Sequence, residues 1–128
     1  GAATEAAMHG LPAIAFSMRD DQSFDVTEKY LPGILGELLQ KPLPAGQLWN
    51  VNFPTCTLED CRGILYDRFP EKKSYYENYY TCVREENGVQ YLSPVSRVIQ
   101  LDEVTEGTDI HALLGNYISI GAVRCAAY

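Results

Sequence analysis

A chain of 128 residues, 46% hydrophobic and 21% charged, is long enough to bury a core and has the balance of an ordinary globular domain. Its formal charge of −7, with Lys72-Lys73 as the longest basic run, argues against a nucleic-acid polymer or an anionic membrane as the main partner, since both demand clustered Lys and Arg. No stretch has the apolar length of a membrane span, and the first residues lack the charged and apolar regions of a secretion signal, so a cytoplasmic protein is the expectation for the residues from Gly1 onward.

The opening GAATEAAMHG places Ala2, Ala3, Ala6 and Ala7 around Glu5, a run of strong helix formers without a preceding cap. The segment reads as a helix already under way at Gly1, and further polypeptide is expected upstream. Gly10 sits where a helix C-cap belongs, and the apolar run PAIAFS (12–17) behind it reads as a strand buried on both faces, hence part of a parallel sheet. After the polar stretch 17–23, Asp25 and Glu28 have capping-box spacing. Tyr30, Leu31, Ile34, Leu35, Leu38 and Leu39 then form one apolar helical face. Pro32 interrupts that face, so either the helix kinks there or its regular part begins there. LWNVNFP (48–54) is the next strand, with Trp49, Val51 and Phe53 on one face and Leu48, Asn50 and Asn52 on the other. Residues 1–54 thus read as α-β-α-β, the remainder of an α/β domain whose earlier strands are missing and are needed for its folding.

From Thr55 the composition changes. Residues 62–69, 74–85, 89–100 and 116–123 are rich in β-branched and aromatic residues separated by turn formers, and Asn87-Gly88 is a hairpin signal. Region 55–128 is therefore predicted to be a β-rich extension with long hairpins and a final strand at 116–123. The tyrosines at 75, 76, 79 and 80 fit a helical face as well as a strand. They read as packing or subunit contact, because stacking platforms for nucleic acid come with basic grooves.

No residue cluster declares a chemistry. Cys56 and Cys61 in CTLEDC have the wide spacing of half a zinc site, but neither Cys82 nor Cys125 supplies a second half. Reduced, partly buried thiols are the better reading, with a disulfide or a zinc-binding α/β protein as alternatives. Asp20-Asp21 could meet a cation, yet acidic residues before a helix are ordinary. Ser17 stands at a strand end without a GxSxG elbow around it. Glu5 and His9 form a helical i,i+4 pair, and Thr108 with Asp109 reads as the capped start of a short helix carrying His111. No Gly-rich phosphate cradle or HExxH occurs.

Together, GAATEAAMHGLPAIAFS, LWNVNFP and EGTDIHALLGNYISIGAV resemble, in order and separation, the C-terminal half of SurE-family nucleotidases. The match is looser over 55–100, and the chain departs from the pattern in ending soon after the last strand. The resemblance implies the C-terminal part of a Rossmann-like α/β fold followed by a β-rich hairpin extension. It further implies a parent enzyme that hydrolyses nucleoside 5′(3′)-monophosphates with one divalent metal, Mg or Mn. In the family that metal is held by an Asp-Asp pair, a Ser and an Asn in the N-terminal domain, and a Ser-Gly-Thr loop leads into the helix on which this chain opens. All of those positions precede Gly1, and Asp20-Asp21 follows a later strand and is not the family's pair. The expectation is therefore no catalytic or metal-binding side chain in this chain, no metal bound by it alone, and a backbone contribution from Gly1 to substrate binding. The family also implies a homodimer or tetramer built through the C-terminal half, around 74–85 and Asn87-Gly88. A non-catalytic oligomerisation module is the alternative function.

Overall fold

The computed structural model describes residues 1–19 and 23–125. Helix α1 (Ala2–Met8) ends as its sequence predicts: Gly10 takes φ 76°, Gly10 N–H donates to the Ala7 carbonyl at 3.0 Å, and Leu11 N–H donates to the Ala6 carbonyl at 3.0 Å. This paired closure satisfies carbonyls that would otherwise face no donor, and it needs a left-handed residue at Gly10. The chain then enters β1 (Ile14–Ser17), crosses through α2 (Asp25–Leu39) and returns as β2 (Gln47–Asn52), parallel to β1 with Ser17 opposite Asn52.

The sheet is mixed. Its order is β1-β2-β6-β3, with β6 (Tyr117–Arg124) antiparallel to β2 and the three-residue β3 (Gly63–Leu65) parallel to β6. The parallel pair expected between residues 12–17 and 48–54 is present, but β1 is only half-buried, and among the described residues it pairs on one side only. Alternation along the strands sends Phe16, Val51, Ile118 and Ile120 to one face, where α2 lays down Val26, Ile34 and Leu38. Helices α1 and α3 (Asp109–Leu114) contribute nothing to that cluster and pack against β2 and β6 respectively.

Two local expectations for α2 are revised, and of the two readings of Pro32 the one that starts the regular helix there is set aside. Pro32 lies inside one continuous helix, because burial of Val26 before it and of Ile34 and Leu38 after it outweighs the hydrogen bond that proline cannot make. The Asp25–Glu28 capping box does not form, since Asp25 is already helical; its N–H donates to Ser23 Oγ at 3.2 Å, and both acids complement the first turn. Ile34 and Leu38 of the apolar stripe enter the core and Tyr30 and Leu31 pack against it, but Leu39 is 64% exposed, and with Leu35 it lines an apolar groove of about 470 Å³ beside β1.

The tyrosine-rich stretch is a strand. β4 (Tyr76–Glu86) and β5 (Val89–Val98) form a separate two-stranded sheet with a bulge at Val83. Asn87 (φ 52°) and Gly88 (φ 77°) join them, the two positive φ values that the tight hairpin turn demands. Most hairpin side chains are exposed, the half-buried ones falling mainly in the second half of β5.

One contact constrains the sheet interior. A Cβ on Gly121, in β6, would fall 1.8 Å from the Arg68 carbonyl oxygen, because the chain after β3 crosses there and Arg68 N–H donates to the Ile120 carbonyl at 3.1 Å. Backbone cannot yield as a flexible side chain does, so Gly121→Ala is expected to destabilise the fold by about 1–3 kcal/mol or more, read as a lower urea midpoint.

Candidate functional site

In open α/β sheets the crevice outside the carboxyl ends of the strands is where ligands settle. Here β1 and β2 end side by side at Ser17 and Asn52, and a cleft of about 290 Å³ opens at that point. Its wall includes Thr55 after β2, Tyr75 at the foot of the hairpin, and Asp109, Ile110 and Leu113 from the start and middle of α3.

Ser17, Asn52 and Ser119 lie in one row across β1, β2 and β6. Ser17 Oγ donates to Asn52 Oδ1 in a short hydrogen bond. Asn52 Nδ2 and Ser119 Oγ are buried without a partner among the described residues. Each such group costs about 1–3 kcal/mol when left unpaired, so this row is a polar seam beside the apolar core.

Asp109 is held from three directions. Its N–H donates to the Phe69 carbonyl at 2.9 Å, and its Oδ1 accepts from Glu71 N–H at 2.9 Å and Ile110 N–H at 2.8 Å. Its Oδ2 has no hydrogen bond to any described residue. Thr108 caps α3 as its sequence predicts, with Oγ1 accepting from His111 N–H at 3.2 Å.

The segment that delivers Asp109 is tied down by two carboxylates. Glu71 accepts from Thr105 N–H at 2.8 Å and Lys73 N–H at 3.4 Å, and the Thr105 bond foremost holds its carboxyl below the usual range. Arg97 grips Glu103 through two hydrogen bonds of 3.1 and 2.8 Å and also pairs with Glu77. Gln100 N–H adds a bond of 2.7 Å to Glu103, and Lys73 Nζ donates to the Glu103 carbonyl at 2.8 Å. Arg97 first, then the Gln100 N–H, lowers the Glu103 carboxyl to about 2 and pushes the guanidinium up in turn.

The residues singled out in the sequence are scattered. Gly1 is exposed at the N-terminus of α1, its carbonyl accepting from Glu5 N–H at 3.1 Å, and it does not line the cleft. His9 and Glu5 form an exposed pair at 3.0 Å. Cys56 and Cys61 are both free and half-buried; burial foremost, then the neighbouring Cys61, pushes the Cys56 thiol up. Asp20-Asp21 lies outside the described residues. Ser17 and Asp109 do converge on the cleft, joined by Asn52, which the sequence placed only on one face of its strand, and Tyr75, which it placed in packing or a subunit contact. The parity of Asn52 opposite the buried face of β2 was the available signal. Among the described residues no three of His, Cys, Asp and Glu come together as a group that could hold a metal ion. No described helix is long and apolar enough to cross a membrane.

The fold and the strand-end cleft define an α/β protein with a protruding β-hairpin. A family model described as survival protein SurE matches residues 1–76. The chain is 35% identical over 126 residues to the 5′-nucleotidase SurE of Flavobacterium psychrophilum, covering 96% of this chain and 48% of that protein. It is also 35% identical over 123 residues to the 5′-nucleotidase SurE of Neisseria gonorrhoeae, covering 93% and 48% respectively. The crystal structure of the SurE protein from Aquifex aeolicus superposes with a TM-score of 0.74 at 26% identity, over 98% of this chain and 50% of that one. The chain belongs to the SurE family, and it spans about half the length of the relatives it matches.

Acid should loosen the segment that carries Asp109. Glu71 and Glu103 have folded-state pKa values below their ordinary 4.5, so their contribution is complete above that pH and is lost as pH falls toward the folded values, about 2 for Glu103. Amide exchange at Gln100 and Thr105 is expected to accelerate over that window relative to the β2–β6 amides. Glu103→Gln should bring the Gln100 change to neutral pH.

Proposed function

We propose that this chain is the supporting half of a metal-dependent nucleotidase that hydrolyses nucleoside 5′(3′)-monophosphates to nucleoside and phosphate. The observation that carries the reading is the alignment of 96% of the chain, at 35% identity, with a protein named 5′-nucleotidase SurE. Hydrolysis of a phosphomonoester requires a group that neutralises the phosphoryl oxygens, and a divalent Mg or Mn ion supplies that when bound. We assign that ion's ligands to polypeptide outside this chain, and no step is drawn through it here. What this half contributes is the sheet, the strand-end cleft and, at Gly1, a backbone approach from the start of α1. Phosphate release from nucleoside monophosphates tests the reading. A full-length polypeptide containing this chain is expected to turn over with Mn or Mg and to stop on chelation, whereas residues 1–128 alone should be inactive; turnover by 1–128 alone would refute it.

The hairpin supports a second element, assembly into a homodimer or tetramer. Tyr76, Tyr79, Tyr80, Tyr91 and Leu92 are exposed on β4 and β5, and Tyr80 is 71% exposed. A long hairpin with this much apolar surface calls for a covering partner. Taken without catalysis, the same observation describes an oligomerisation module. Light scattering on the full-length protein is expected to show an oligomer that Tyr80→Glu with Leu92→Glu converts to smaller species, while a wild-type monomer would remove this element.

A further inference from the structure

We infer that the cleft at the carboxyl ends of β1 and β2 is a nucleoside subsite, in which Asp109 Oδ2 accepts from the vicinal hydroxyls of a ribose and Tyr75 offers its ring to the base. The inference rests on the nucleotidase reading for its substrate class and goes beyond it in naming where the non-reacting part of the substrate lies.

The chemistry of Asp109 carries the argument. A carboxylate is acceptor-only and has room for about four hydrogen bonds. Oδ1 uses two of them on Glu71 N–H and Ile110 N–H, which fix the plane of the group, and Oδ2 is left with none from the described residues. A fixed acceptor on the wall of a cleft is suited to a ligand that brings neutral donors. Vicinal sugar hydroxyls are such donors, and an acidic side chain reading a ribose 2′-hydroxyl is a recurrent solution in α/β folds. Like charge keeps a phosphate away from Asp109 itself, while Arg19 supplies a cation elsewhere on the same wall, so the carboxylate is assigned to the sugar.

The remaining wall matches a base in size and polarity. The cleft, about 290 Å³, is at the lower bound of small-molecule sites and too small for a polymer segment. Phe53, Pro54, Ile110 and Leu113 make its apolar side. Tyr75 is braced edge-on by Tyr76, with ring centroids 5.0 Å apart and planes at 81°, and its carbonyl accepts from Ile99 N–H at 2.9 Å. The aromatic surface is therefore positioned before any ligand arrives, which lowers the ordering cost of binding.

Isothermal titration calorimetry on the full-length polypeptide, with adenosine and 2′-deoxyadenosine as probes, tests the subsite. Adenosine is expected to bind about tenfold or more tighter than its 2′-deoxy analogue, as loss of a hydrogen bond to a charged acceptor predicts. Asp109→Asn keeps an oxygen for Glu71 and Ile110 but replaces the free acceptor by a donor, and it should abolish the preference. Tyr75→Leu should weaken both ligands while keeping their ratio. Methyl NMR on the wild type makes the test independent of any variant's folding, since Ile110 and Leu113 should shift on adding adenosine. Equal affinities in the wild type, a preference that survives Asp109→Asn, or adenosine binding without those shifts would each overturn the proposal. Phosphate release measured in parallel separates the two readings. Release without nucleoside binding in this cleft removes the subsite alone, and binding without release from any nucleotide removes the nucleotidase reading alone.

Discussion

The antiparallel pairing of β6 with β2, from Gln47 opposite Arg124 to Asn52 opposite Ser119, is the interaction on which the other features depend. It returns the last third of the chain to the middle of the first sheet. Without it α3 would have no surface to pack on, β3 would have no partner, and Asp109 would not reach the ends of β1 and β2. The absence of a Cβ at Gly121 is what lets the Arg68 backbone cross that strand, and the crossing in turn leads the chain to Phe69 and its bridge to Thr108. One glycine and one strand register thus connect residues that lie far apart in sequence.

Much of the local structure was legible. The Schellman-type end of α1 at Gly10, the hairpin turn at Asn87-Gly88 and the Thr108 cap were all visible, because each depends on residues within a few positions of one another. The failures have a common cause. Asp25 and Glu28 have the right spacing for a cap, but where a helix begins depends on what its first turn buries, and Val26 is 1% exposed. Pro32 is tolerated for a similar reason. The tyrosine stretch fits two periodicities, and only cross-strand pairing with β5 decides between them. The insertion of β6 between β2 and β3 leaves no local mark at all.

The candidate site was legible in parts and not as a whole. Ser17 stood out as a strand-end residue and Asp109 as a cap neighbour, and each had a sufficient local explanation. Their convergence depends on long-range pairing, as does the inclusion of Tyr75, whose neighbourhood is set by the Glu71 and Glu103 ties at the foot of the hairpin. Those ties combine backbone N–H donors with charge, so the same carboxylates that shape the cleft wall also make it sensitive to acid. The hairpin is anchored through them at its base, while its distal part, Thr81 to Tyr91, makes its described contacts within itself.

The four residues of β1, Ile14 to Ser17, carry no charge, no proline and no bulge, and one flank of the strand pairs with nothing among the described residues. Natural sheets blunt such flanks with lysine, proline or a covering loop, and this strand has none of these within it. The flank that pairs with nothing among the described residues is thus a part of the sheet open to strand addition from other polypeptide.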